Sequence, residues 1–131
     1  MLSDIHVLVL SAALTWSMLL TASLLRSRVW TIPGIHVAFG NRESMPDSTP
    51  LTGRSDRAAK NMLENLALFT ALVVAVRFAG HDSASASPGA SLFFWARVAY
   101  WPVYLVGIPY LRTAIWTVSV VGLGMLGAAA L

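Results

Sequence analysis

Residues 5 to 25, IHVLVLSAALTWSMLLTASLL, contain no charged side chain. A run of about 20 apolar residues crosses a bilayer as a helix, because a helix satisfies its own backbone in lipid. This feature constrains the chain more than any other. A cleaved signal peptide would need basic residues ahead of the run. Positions 1–4 hold no Lys or Arg, and Arg26 and Arg28 follow the run instead. The segment therefore reads as a retained span.

The composition agrees. Charged residues make up 11% of the 131 residues, where soluble domains run near ~25%. A domain this small needs polar groups over most of its surface. Those figures argue against a soluble enzyme, a disordered tail and a nucleic-acid module. The basic pI reflects a net charge of only +3. Five Trp suit a membrane interface, where an amphipathic ring sits well. With no Cys, disulfides, thiol nucleophiles and Cys-based metal sites are excluded.

The pattern predicts an all-α integral membrane protein, a four-transmembrane-helix bundle forming a single domain over 1–131. Its spans fall at about 5–28, 57–79, 91–108 and 111–131. Between the first two lies a polar loop, 29–56, where Pro33, Gly34, Gly40, Pro46, Pro50 and Gly53 are expected to break any helix. Residues 81–90, HDSASASPGA, read as a short flexible turn. Pro102 sits inside the third span, which a membrane helix tolerates. Gly122, Gly124 and Gly127 give the fourth span either a close-packing surface or simply a thin outline in lipid.

Charge orients the bundle. Arg26, Arg28, Arg42, Arg54, Arg57, Lys60 and Arg112 belong to one side, and Arg77 and Arg97 lie nearer the other. By the positive-inside rule, loops 29–56 and 107–112 are cytoplasmic and both termini lie opposite.

Two helical faces carry chemistry. Arg57, Asn61, Glu64, Asn65 and Leu68 share one face of the second span. Glu64 lies about 10 Å deeper than Arg57 along the axis. A carboxylate at that depth is expensive without a partner. Pairing with Lys60 at i,i+4 would explain it in structural terms, although not the two asparagines. Arg97, Tyr100, Tyr104 and Gly107 share a face of the third span. Arg97 could snorkel to the nearer surface and the tyrosines could belong to an interface belt. The two spans run in opposite directions, so Glu64 lies level with Tyr100 and Tyr104. A cationic, tyrosine-lined cavity open to the cytoplasm is the simplest joint explanation. Arg112, just before the fourth span, adds a guanidinium where a helix N-terminus already favours anions. It also fits ordinary positive-inside punctuation. His6, His36 and His81 do not converge, and no metal-binding spacing or phosphate loop occurs.

Residues 54–74, RSDRAAKNMLENLALFTALVV, resemble the second helix of the MAPEG family, the membrane-associated proteins in eicosanoid and glutathione metabolism. The shared pattern is R-A-x-x-N-x-x-E, here Arg57, Ala58, Asn61 and Glu64. Residues 96–116 are similar to the third helix and following turn of bacterial members. The resemblance implies a homotrimer of four-helix subunits, in a bacterial inner membrane, with glutathione as co-substrate between neighbouring subunits near the cytoplasmic side. It implies a glutathione site at Arg57, Asn61, Glu64, Arg97, Tyr100 and Tyr104, joined by Arg26 or Arg28 of the first helix. It assigns Arg112 to stabilising the thiolate. Asn65 stands where some eicosanoid-forming members carry Tyr, which speaks against a specific eicosanoid activity. The implied function is a glutathione-dependent transferase or peroxidase acting on small apolar electrophiles or lipid hydroperoxides. A non-catalytic trimeric scaffold or lipid-binding protein of the same fold is the alternative. A transporter subunit would call for broken half-helices or an inverted repeat, and neither is evident.

Overall fold

The computed structural model describes residues 2–81 and 83–131, with the Ser83 side chain left aside. Five helices account for most of these residues, and no strand occurs among them: α1 (Asp4–Ser27), α2 (Ile32–Phe39), α3 (Pro50–Phe78), α4 (Ser83–Val106) and α5 (Pro109–Ala128). Three of them, α1, α3 and α5, are long and apolar enough to cross a membrane. α4 matches α1 in length at 24 residues, but carries Arg97, two prolines and a serine-rich start.

The starts of α1, α2 and α3 each have a side-chain cap. Ser3 caps α1. At α3, Thr49 Oγ1 accepts from the Thr52 amide at 3.2 Å, while Thr52 Oγ1 accepts from the Thr49 amide at 2.8 Å. This reciprocal box satisfies two otherwise orphaned donors, and Pro50 occupies the first helical position, where no amide is needed. α3 thus begins seven residues earlier than the expected span. α2 forms inside the expected loop for the same reason. Thr31 caps it, and Pro33 falls in its first turn. Gly34 packs against the end of α1, where a Cβ would come within 1.9 Å of the Arg28 carbonyl. The expectation that these prolines and glycines break every helix in 29–56 therefore fails. Residues 83–90, read as a flexible turn, form the first two turns of α4 with Pro88 inside; Asp82 lies outside the described residues.

Long-range contacts pin the two ends of the bundle. At one end the carboxylate of Asp4, fully buried, accepts from Arg77 Nε at 3.1 Å and Nη2 at 2.5 Å. That joins the start of α1 to the end of α3. At the other end Arg54 Nε donates to the Leu105 carbonyl at 2.9 Å, joining the start of α3 to the end of α4. Gly107 makes that end possible: its φ of +88° lets the chain leave α4 in the left-handed region. α4 and α5 make the most extensive contact, followed by α1 and α3. In the core Phe69 stacks on Phe93 with ring centroids 4.4 Å apart. Met18, Met62, Val73, Val76 and Leu126 belong to the same core. Large apolar side chains such as Val9, Trp16, Leu20, Val74 and Val121 face outward, as lipid contact requires.

Candidate functional site

The third and fourth turns of α3, the last two turns of α4 and the start of α5 enclose an open cleft of about 450 Å³. It lies at the end of the bundle held by the Arg54–Leu105 bond. Arg57, Lys60, Asn61 and Glu64 line it from α3, Tyr100 and Tyr104 from α4, and Arg112, Thr113 and Trp116 from α5. Their spacing explains the convergence. Steps of three and four residues keep each set on one helical face.

The cleft is rich in donors. Arg57, Lys60 and Arg112 bring three cations, and Glu64 is the one carboxylate in the lining. Among the described residues the single ion pair is Asp4–Arg77, so Glu64 and Lys60 do not pair at i,i+4. Glu64 is exposed and lines the cleft without a cationic partner among the described residues. Tyr100 and Tyr104 meet edge to face, with centroids 5.3 Å apart. The Arg112 guanidinium lies over the Tyr104 ring at 4.9 Å. Cation–π contact fixes that guanidinium without using its five N–H donors. α5 starts at Pro109, and its N-cap residue Ile108 supplies no side-chain cap, so the first-turn amides add to the positive field.

Arg97 does not snorkel. It is 0% exposed and lies below the cleft rather than in its lining. Its Nη1 donates to Asn61 Oδ1 at 2.7 Å. Its guanidinium lies 5.4 Å from the Phe93 centroid and 5.2 Å from that of Tyr100. Nε and Nη2 have no hydrogen-bond partner among the described residues. Asn65 also turns inward and donates to the Asn61 carbonyl at 2.8 Å. It is absent from the lining, although it was read on the same stripe.

Arg26 and Arg28 stand apart from the cleft in the single chain. Arg26 Nη1 donates to the Pro46 carbonyl, and Arg28 Nη2 reaches the Asp47 carbonyl at 3.4 Å. Arg26 lines a second hollow of about 480 Å³ between α1 and α3, with an apolar floor including Leu19 and Leu63. The two hollows flank α3 and share Arg57 and Lys60.

Several residues escaped the reading of the sequence. Thr113 and Trp116 follow Arg112 at one and four positions, so helical spacing could have added both. Arg54 lies one turn ahead of Arg57. Its function, tying α3 to the end of α4, needs a contact across 51 residues that no local pattern announces. No group of three or more His, Asp or Glu able to hold a metal occurs among the described residues.

The MAPEG family model matches residues 5–131. The chain belongs to the MAPEG family. It is an integral membrane protein of a family associated with glutathione and eicosanoid metabolism. The match spans α1 through α5, so the cleft is built wholly from MAPEG sequence rather than from an appended segment. No curated protein is a significant match to the chain.

Proposed function

We propose that this MAPEG protein is a glutathione-dependent transferase or peroxidase, acting on small apolar electrophiles or lipid hydroperoxides from the membrane. The observation that carries the reading is the donor set of the cleft. Three cations, two tyrosines and an asparagine face one unpaired carboxylate. Glutathione presents the complement: two carboxylates, an ammonium and a thiol. Guanidinium groups grip carboxylates through paired N–H donors. Glu64 receives the ammonium. Arg112, held by Tyr104 at the positive start of α5, stabilises the thiolate. Arg57, Asn61, Tyr100 and Tyr104 bind the peptide, and Arg97 supports them from below.

In conjugation the thiolate sulfur attacks an electrophilic carbon and the leaving group departs with the bond electrons. In peroxide reduction two thiols are oxidised to a disulfide while the hydroperoxide becomes an alcohol and water. Both reactions use the same first step, loss of the thiol proton, and both take the apolar reactant from the lipid side.

The working unit is a homotrimer of four-helix subunits, with α4 as the fourth span and α2 at the membrane surface. Arg26 supports this reading. It is displaced from its own chain's cleft and lies in a hollow beside α3, where a neighbouring subunit's cleft can meet it. Loops 29–56 and 107–112 face the cytoplasm of a bacterial inner membrane, following the basic residues clustered at that end.

The test is thiolate formation and turnover by purified protein, with glutathione and a panel of apolar electrophiles and hydroperoxides. Arg112→Ala should leave glutathione bound but remove its thiolate absorbance and lower turnover at least tenfold. Failure of the parent protein to bind glutathione, or to turn over any member of the panel, would favour a non-catalytic scaffold.

A further inference from the structure

Arg97 poses a physical problem. A fully buried guanidinium carries a large desolvation penalty, and this one makes a single side-chain hydrogen bond. A hydrophobic residue would fill the same space more cheaply. The single bond, to Asn61, shows what the charge achieves.

An asparagine amide can face a cleft in either of two ways, offering its oxygen as acceptor or its nitrogen as donor. A guanidinium has five donors and no acceptor. The contact between Arg97 Nη1 and Asn61 therefore allows only Oδ1 at the 2.7 Å position. Asn65 Nδ2 approaches the same oxygen at 3.5 Å and donates more strongly to the Asn61 carbonyl. Both neighbours are donors, so Oδ1 is fully engaged inside the protein. Among the described residues no acceptor holds Asn61 Nδ2, and Asn61 lines the cleft. The guanidinium lies over the rings of Phe93 and Tyr100, which favour its position by cation–π contact. The positive charge behind Oδ1 also polarises the amide, which strengthens its N–H groups as donors.

We infer that Arg97 is a positioning residue that fixes Asn61 as a donor, and so makes this point of the cleft select an acceptor oxygen on the bound thiol peptide. Arg97 does not touch the ligand. Its buried charge acts through the Asn61 amide. The identity of the ligand rests on the glutathione reading above, whereas the orientation of the amide does not.

The experiment is a double-mutant cycle on the full-length protein in detergent, with glutathione affinity measured by calorimetry. Arg97→Met and Asn61→Ala should each weaken binding by about tenfold, and the double variant should bind no worse than Asn61→Ala alone. Losses that multiply would mean that Arg97 acts on the ligand independently, and would overturn the inference. Asn61→Asp guards against a merely structural effect. It keeps an acceptor for Arg97, so thermal stability should equal or exceed that of the parent, yet it places an oxygen where Nδ2 faced the cleft. Affinity should fall at least tenfold; parent-like affinity would overturn the inference.

A readout without ligand separates this idea from the glutathione reading. The chain has three asparagines, Asn41, Asn61 and Asn65, so nitrogen-15 labelling of asparagine gives a spectrum assignable by substitution. The Asn61 side-chain amide should resonate apart from that of exposed Asn41 and collapse towards it in Arg97→Met. If it does so while the parent ignores glutathione, the orientation stands and the proposed ligand falls. An Asn61 signal unmoved by Arg97→Met sinks the orientation, whatever the protein binds.

Discussion

Glu64 is the one carboxylate in a cleft rich in donors, and it lacks a cationic partner among the described residues. Its carboxylate is accessible, so it contributes little to folding. Glu64→Gln removes the charge and keeps the shape. We expect glutathione affinity to fall by one to two powers of ten, since charge-assisted hydrogen bonds contribute roughly 1.5–3 kcal/mol. Thermal stability should move by no more than about 0.5 kcal/mol. Calorimetry with glutathione and thermal unfolding in detergent check the two halves. A large loss of stability would show Glu64 to be a folding residue. The spacing of Arg57, Asn61 and Glu64 was legible because the helical repeat alone puts them on one face. The destination of Arg97 was not, because snorkelling and burial are both open to a long side chain. Only Asn61, 36 residues away, decides between them.

At the scale of the element, the crossing of α4 and α5 depends on Gly89 and Gly122, which meet there. A Cβ on Gly122 would lie 2.7 Å from the Phe93 amide nitrogen and 2.8 Å from the Gly89 carbonyl oxygen. Those are backbone atoms, so the helices must separate to admit it. Gly124, two residues on, has nothing within 4 Å of the same position. Gly122→Ala should therefore destabilise the protein by about 1–3 kcal/mol through overpacking. Gly124→Ala should be neutral or stabilise by up to about 1 kcal/mol, because alanine is the better helix former. Thermal unfolding of the two variants side by side tests this, and equal effects would rule out a specific crossing. The glycine stripe was visible in the sequence, but not which glycine faces the neighbour. Helix starts were hidden for a related reason. Pro33 and Pro50 look like breakers until the cap beside each one, Thr31 or Thr49, places it in a first turn. Pro88 is less easily read, since it lies inside α4.

At the scale of the whole molecule, the fold gathers charge at one end. The Arg54–Leu105 bond puts the starts of α3 and α5 and the end of α4 together, and Arg26 reaches Pro46 in the segment leading into α3. The cleft and its cations therefore share one end, which the proposed topology puts in the cytoplasm. The Asp4–Arg77 pair belongs to the opposite end. It neutralises Arg77, one of the two cations assigned to that side, and so sharpens the asymmetry. A chain without cysteine allows a direct test of orientation. Ser44→Cys places a thiol on the exposed segment between α2 and α3, and Leu131→Cys places one just beyond α5. In intact cells a membrane-impermeant maleimide should label Leu131→Cys and spare Ser44→Cys, and permeabilisation should expose both. The reverse pattern would place the cleft on the outer face, away from the cytoplasmic thiol pool on which a glutathione-dependent reaction relies. Equal labelling in intact cells would mean that the two thiols share a side, and would overturn the proposed four-span arrangement.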